Sequence, residues 1–168
     1  MRKSLKSLSA ALAISAVAST AVAATSFAAE PKMTLTLNSE VGKMNGTVLE
    51  INEKVAAGAK VTATISVDNG VADDFYWCAS GVHLYFDNDL TIATKKKGET
   101  IAVAFEDGEA ADGLNFEVKM QEATALPNAD TNGVFYATSG SADYGFSGDV
   151  ITFTFSVPAG AKAGDIYN

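Results

Sequence analysis

The feature that most constrains this chain is a recurring alternation of apolar and polar residues with a period of two. It runs through Met33-Thr34-Leu35-Thr36-Leu37, Val61 to Val67, Leu114 to Met120 and, most cleanly, Ile151-Thr152-Phe153-Thr154-Phe155-Ser156-Val157. Successive side chains of a strand point to opposite faces, so each run predicts a strand with one buried and one wet face. Thr and Phe favour strands by propensity as well. The segment 114–126 also holds good helix formers from Val118 to Ala123, but the alternation favours a strand there. Turn signals separate the runs: Asn45-Gly46, Ala57-Gly58, Asn69-Gly70, Asp107-Gly108, Asp112-Gly113, Asn132-Gly133 and Pro158-Ala159-Gly160. Many short strands, frequent turns and no long helical pattern imply an all-β antiparallel sandwich or barrel.

The first 29 residues do not fit this pattern. Arg2, Lys3 and Lys6 precede an apolar run from Leu8 to Ala24, and the small residues Thr25, Ser26, Ala28 and Ala29 follow. That order is the signature of a secretory signal peptide; cleavage after Ala23, Ala28 or Ala29 fits it, and Ala29 is taken here. The run is Ala-rich and short for a spanning helix, which argues against a permanent anchor. Cleavage removes three of the twelve basic residues and no acid, leaving nine against twenty, a net charge of −11. So acidic a surface disfavours nucleic acid and anionic lipid as partners. The mature chain suits one domain with a sizeable core. Residues 30–45 read as a lead-in and 46–168 as the domain.

Cys78 is the only cysteine and His83 the only histidine. An intramolecular disulfide is impossible, and a Cys/His zinc site lacks ligands, so no metal ligand or cofactor is expected on this chain. The densest chemistry lies on a strand expected from Tyr76 to Phe86. Alternation places Cys78, Ser80, Val82, Leu84 and Phe86 towards the core and Trp77, Ala79, Gly81, His83 and Tyr85 on the opposite face. That face mixes aromatics with very small residues, which let another surface approach closely; an ordinary solvent face would read the same way.

An ordered set of segments resembles a cohesin domain. It comprises Val48-Leu49-Glu50-Ile51, Ala57-Gly58-Ala59-Lys60-Val61 and the strand ending Val67-Asp68-Asn69. Then come Gly81 to Phe86 running through Asp87-Asn88-Asp89 into Leu90-Thr91-Ile92, and Val134-Phe135-Tyr136-Ala137. Gly148 to Val157 and the small-residue loop Ala159 to Tyr167 complete it. The resemblance implies a nine-stranded β-sandwich with jelly-roll topology. It also implies a secreted scaffold module that docks dockerin-bearing polysaccharide-degrading enzymes through one flat sheet face. Calcium would belong to the dockerin. By position, the contact residues would be Ala79, Gly81, His83 and Tyr85, with Asp87 and Asn88 at the strand's end. Ala79 and Gly81 stand where many cohesins have polar residues, which implies a divergent specificity resting more on His83 and Tyr85. The family also has strands beyond the position of Tyr167, so the resemblance implies a sandwich lacking its last strands. Attachment to a cell surface would then lie in sequence beyond Asn168.

Other readings weigh less. A catalytic triad would need His83, in mid-strand, and no Gly-x-Ser-x-Gly elbow surrounds any serine, so an enzyme is not expected. Asn128-x-Asp130-x-Asn132-Gly133 echoes a calcium loop, but the twelfth position is Ser139 rather than Glu, and a polar hairpin loop explains it better. Leu126-Pro127-Asn128-Ala129-Asp130 lacks the remainder of a sorting signal. Lys95-Lys96-Lys97 reads as a solvated turn. The main alternative is a carbohydrate-binding sandwich stacking plant polysaccharide on Phe75, Tyr76 or Trp77 with Tyr85. Neighbouring strand residues point to opposite faces, which leaves that platform thin.

Overall fold

A computed structural model describes residues 32–55, 58–68, 77, 79–140 and 146–168. The signal-peptide reading of 1–29, the turn at Asn69-Gly70, residue Ala57 of the Ala57-Gly58 turn, Phe75, Tyr76 and Cys78 lie outside the described residues.

The described chain is built from strands joined by short turns. They are β1 (Lys32–Ser39), β2 (Lys43–Asn45), β3 (Val48–Glu50), β4 (Lys60–Asp68), β5 (Ala79–Asp87), β6 (Thr91–Ile92) and β7 (Thr94–Lys97). There follow β8 (Thr100–Val103), β9 (Phe105–Asp107), β10 (Asn115–Met120), β11 (Thr131–Ser139), β12 (Gly148–Ser156) and β13 (Ile166–Tyr167). Single 3-10 turns occur at Glu109–Ala111 and Ala123–Ala125. Every pairing is antiparallel.

Two sheets make the sandwich. The larger runs β1-β4-β12-β6, with β9 also on β12. The smaller runs β10-β11-β5. Their inner faces follow the alternation of the sequence. Val61, Ala63, Ile65 and Val67 of β4 and Ile151, Phe153 and Phe155 of β12 meet Val82, Leu84 and Phe86 of β5 and Val134 and Tyr136 of β11. Phe86 and Phe155 touch across the gap, edge to face, with centroids 4.8 Å apart. The outer face of β4 and β12 is polar and self-satisfying: Thr64 Oγ1 and Thr152 Oγ1 are 2.9 Å apart, and Ser66 donates to Asp149 Oδ1 at 2.6 Å. A third sheet, β13-β3-β2, closes one end and buries Leu49 and Tyr167.

The alternation of Met33 to Leu37, read as a strand inside the segment 30–45, is that of β1, which pairs with β4 along its full length from Lys32↔Asp68 to Ser39↔Val61. Its alternation is therefore spent on covering the sandwich edge with Met33, Leu35 and Leu37. Two expectations change. Lys95-Lys96-Lys97 is not a turn but β7, and the turn falls at Gly98, whose φ of +64° suits glycine. Both arms of this hairpin are rooted in the large sheet through β6 and β9 and leave it beyond Ala93 and Ala104. Asn132-Gly133 is not a turn either: both residues lie inside β11.

Candidate functional site

The outer face of β10-β11-β5 carries the residues singled out by the sequence. Along β5, Val82, Leu84 and Phe86 are buried, so Ala79, Gly81, His83, Tyr85 and Asp87 point outward. The register sets Ser139, Ala137, Phe135, Gly133 and Thr131 of β11 opposite them in turn. On β10, Asn115, Glu117 and Lys119 continue the same rows.

The middle of this face is aromatic. His83 lies 4.8 Å from Phe135 and 6.3 Å from Tyr85 by ring centroid, and the Lys119 ammonium sits 5.9 Å from the Phe135 centroid. Lys119 is also paired with Glu117 at 3.2 Å, an exposed ion pair of small energetic weight. The rings lie over glycine. A Cβ placed on Gly133 would come within 3.0 Å of Tyr85 Cδ1 and Gln121 Cγ, and one on Gly81 would reach 3.7 Å from Phe135 Cε2. Aromatic rings covering cross-strand glycines replace the missing side-chain packing and protect the backbone. The small residues thus let the rings pack against the sheet.

Beneath this face the packing is tight and partly polar. Thr138, buried, accepts hydrogen bonds from the Ser80 amide (2.8 Å) and shares one with the Ser80 hydroxyl (2.9 Å). Tyr136 Oη, just below, makes no hydrogen bond of ordinary geometry. Burial pushes its pKa up to about 12, and the nearby Ser80 hydroxyl offsets part of that rise.

At the strand's end Asp87 and Asn88 are engaged in structure. Asp87 Oδ1 accepts from the Asp89 amide (3.0 Å), and the Asp87 amide donates to the Asn168 carbonyl (2.8 Å). Its carboxyl titrates above the usual carboxylate range, chiefly through partial burial, with Asp89 and Asp130 adding repulsion against the lowering effect of the Asp89 amide. Asn88 donates to the carbonyls of Asp130 (3.1 Å) and Ala129 (3.3 Å). Asn128 Oδ1 accepts from the Asp130 amide (2.9 Å) and the Thr131 hydroxyl (2.8 Å), so it shapes the turn into β11 rather than facing a cation.

Trp77 departs from its expected place. It is 9% exposed, an isolated bridge position two residues before β5, and its Nε1 donates to the Phe146 carbonyl at 2.9 Å. The alternation of Ala79 to Asp87 would have sent Trp77 outward, whereas it is buried. The face therefore lacks Trp77, and a sugar platform of Trp77 with Tyr85 does not form. What the sequence reading missed is Phe135, with Gly133 and Lys119. The clue was present in Gly133-Val134-Phe135-Tyr136-Ala137, whose alternation sends Val134 and Tyr136 inward and Phe135 out.

No family model matches this chain, and no curated protein does. Among solved structures, it resembles the crystal structure of a type III cohesin module from the cellulosomal ScaE cell-surface anchoring scaffoldin of Ruminococcus flavefaciens. The likeness has a TM-score of 0.50 and 25% sequence identity, and covers 82% of this chain and 64% of that one. This chain thus spans less than two thirds of its structural neighbour's length.

Proposed function

We propose, from a β-sandwich whose structural neighbour is a cohesin module, that this chain is a secreted protein-binding module that docks dockerin-bearing, polysaccharide-degrading enzymes onto a cellulosome-like scaffold. The observation that carries the reading is the outer face of β10-β11-β5. His83, Tyr85 and Phe135 are clustered there against a glycine-bearing sheet, in the fold of a known cohesin. Aromatic side chains are the usual anchors of protein interfaces. Asp87 and Asn88 frame one end of the patch, and Ala79 and Gly81 leave room at the other. The role is binding rather than catalysis, and the calcium of the complex is the dockerin's. Export follows from the signal-peptide pattern of residues 1–29. No helix among the described residues is long and apolar enough to cross a membrane. The burial of Trp77 takes it out of the sugar platform expected with Tyr85.

The test is calorimetric titration of the full chain against a panel of dockerins with duplicated calcium loops, with and without chelator. Calcium-dependent binding is expected, weakened roughly 30-fold (about 2 kcal/mol) by Tyr85→Ala and by Phe135→Ala. Unchanged affinity in both variants would remove this face as the interface. Retention on cellulose or hemicellulose with no dockerin bound would replace the reading altogether.

A further inference from the structure

The larger sheet ends at β1, whose second edge pairs with no described strand. Its 8 residues pair with β4 in one unbroken register, and none of them is proline. One step beyond the Ser39↔Val61 pair, the Glu40 amide donates to the Lys60 carbonyl at 3.0 Å. Bonded residues alternate in an antiparallel ladder, so Thr34, Thr36 and Asn38 turn their amides and carbonyls to β4. Met33, Leu35 and Leu37 turn theirs to the open edge. The side chains of these three are half-buried on the inner face, at the rim of the core. Past Glu40 the chain leaves the edge: Gly42 takes a φ of +72°, and β2 pairs with β3. An edge of this length, without bulge or proline, is a template for another strand.

Charge selects the occupant, because this edge is complementary to itself. Its charged residues are Lys32 at one end and Glu40 just past the other. Two copies of β1 laid antiparallel about a two-fold axis at Thr36 bring Lys32 of each against Glu40 of the other. The same register sets Leu35 against Leu37 of the second copy on the inner face, and Thr36 against Thr36 on the outer face. It also matches the open amides and carbonyls of Met33, Leu35 and Leu37 with those of Ser39, Leu37 and Leu35. Within each copy Lys32 already lies across from Asp68, and Glu40 across from Lys60. Each end of the joint therefore reads Asp68, Lys32, Glu40, Lys60, alternating in sign from strand to strand. Glu40 Oε2 accepts from the Lys60 amide at 3.0 Å, which leaves Oε1 for the incoming lysine. Between the ends, the row Thr152-Thr64-Thr36 of one copy continues into that of the other. A foreign strand would have to repeat this pattern, with an acid for Lys32, a base for Glu40 and apolar residues at alternate positions between them. We infer that β1 is a dimer interface: two copies of this chain join edge to edge into one continuous sheet, an isologous contact of two-fold symmetry. The axis stands perpendicular to the sheet, so the outer faces of β10-β11-β5 in both copies look the same way. If those faces dock partners as proposed above, the pair presents two docking sites to one surface, and linkage raises avidity. The joint itself does not depend on that reading.

The test is sedimentation of the full chain over about a hundredfold range of concentration, at an ionic strength that screens the like net charge of the two copies. A reversible monomer–dimer equilibrium is expected. Lys32→Glu and Glu40→Lys should each weaken it roughly tenfold or more, since each sets like charges against one another at both ends of the joint. Mixed in equal amounts, the two variants should pair with each other as the wild type pairs with itself, because every reversed charge then meets its opposite. Both side chains are exposed, and recovery in the mixture shows that neither variant has lost its fold. Hydrogen exchange gives a second reading. The amides of Met33, Leu35 and Leu37 should exchange more slowly as concentration rises, while those of Thr34 and Thr36, already bonded to β4, should not change. A monomer at every concentration would overturn the inference. So would association that survives both single reversals, a mixture that stays monomeric, or protection that rises equally at all five amides. Because no dockerin enters these measurements, their failure and that of the sheet-face reading are told apart.

Discussion

Tyr136 is the bulkiest of the fully buried side chains described, and its hydroxyl is an unbonded polar atom in the core. An unpaired buried hydroxyl costs free energy that a phenyl ring does not, so Tyr136→Phe is expected to leave stability at pH 7 unchanged or raise it by up to about 1 kcal/mol. The pH dependence separates this from simple repacking. The folded protein holds the phenol proton to about pH 12, against an ordinary value of 10. The folded state therefore keeps a proton that the unfolded chain releases, and stability is complete below pH 10 and lost as pH rises towards 12. Urea denaturation at pH 8 and 11 should show the wild type losing about 1 kcal/mol more than Tyr136→Phe. An equal loss in both proteins would mean that burial does not hold this phenol protonated.

The junction of β9 and β12 depends on one glycine. A Cβ on Gly108 would come 1.9 Å from the Asp149 carbonyl oxygen and 2.2 Å from its carbon, while the Gly108 amide donates to Val150 O at 2.9 Å. The register of β12 on β4 slips between Asp149 and Ile151, so the bulged backbone presses against Gly108. Gly108→Ala should cost roughly 3 kcal/mol or more, because the obstacle is backbone and cannot swing aside; a denaturation loss below about 1 kcal/mol would show that the bulge is soft. Elements of this kind were the hardest to read in advance. The strands with uninterrupted alternation, β4, β10 and β12, were legible because period two is a local property. β1 has the same alternation, yet its place at the sheet edge depends on a partner strand some thirty residues away. Lys95 to Lys97 resembled a turn because all three side chains are wet, as they also are on a projecting two-stranded hairpin. Asn132-Gly133 has the chemistry of a tight turn, but here Gly133 serves the Tyr85 ring across the strand pair. On the candidate face, His83 and Tyr85 were legible from one strand; Phe135 required knowing which strand lies beside it.

Across the whole molecule, the two sheets hold together through rings that meet between them, Phe86 on Phe155 and Phe105 on Phe116, the latter with centroids 5.6 Å apart. Phe155→Ala should therefore cost about 3–5 kcal/mol, and the loss should be shared: Trp77 fluorescence and far-ultraviolet circular dichroism should still report a single coincident unfolding transition. Separate transitions would mean that the sheets unfold independently. The same architecture has a consequence for recognition. Tyr85 lies over Gly133 and Phe135 beside Gly81 in the fold itself, so part of their rotamer freedom is surrendered when the chain folds. A free aromatic side chain immobilised at an interface forfeits roughly 0.5–1.5 kcal/mol of conformational entropy at that moment. On the face proposed for docking, part of that loss would be met on folding, which would favour affinity without a single added contact.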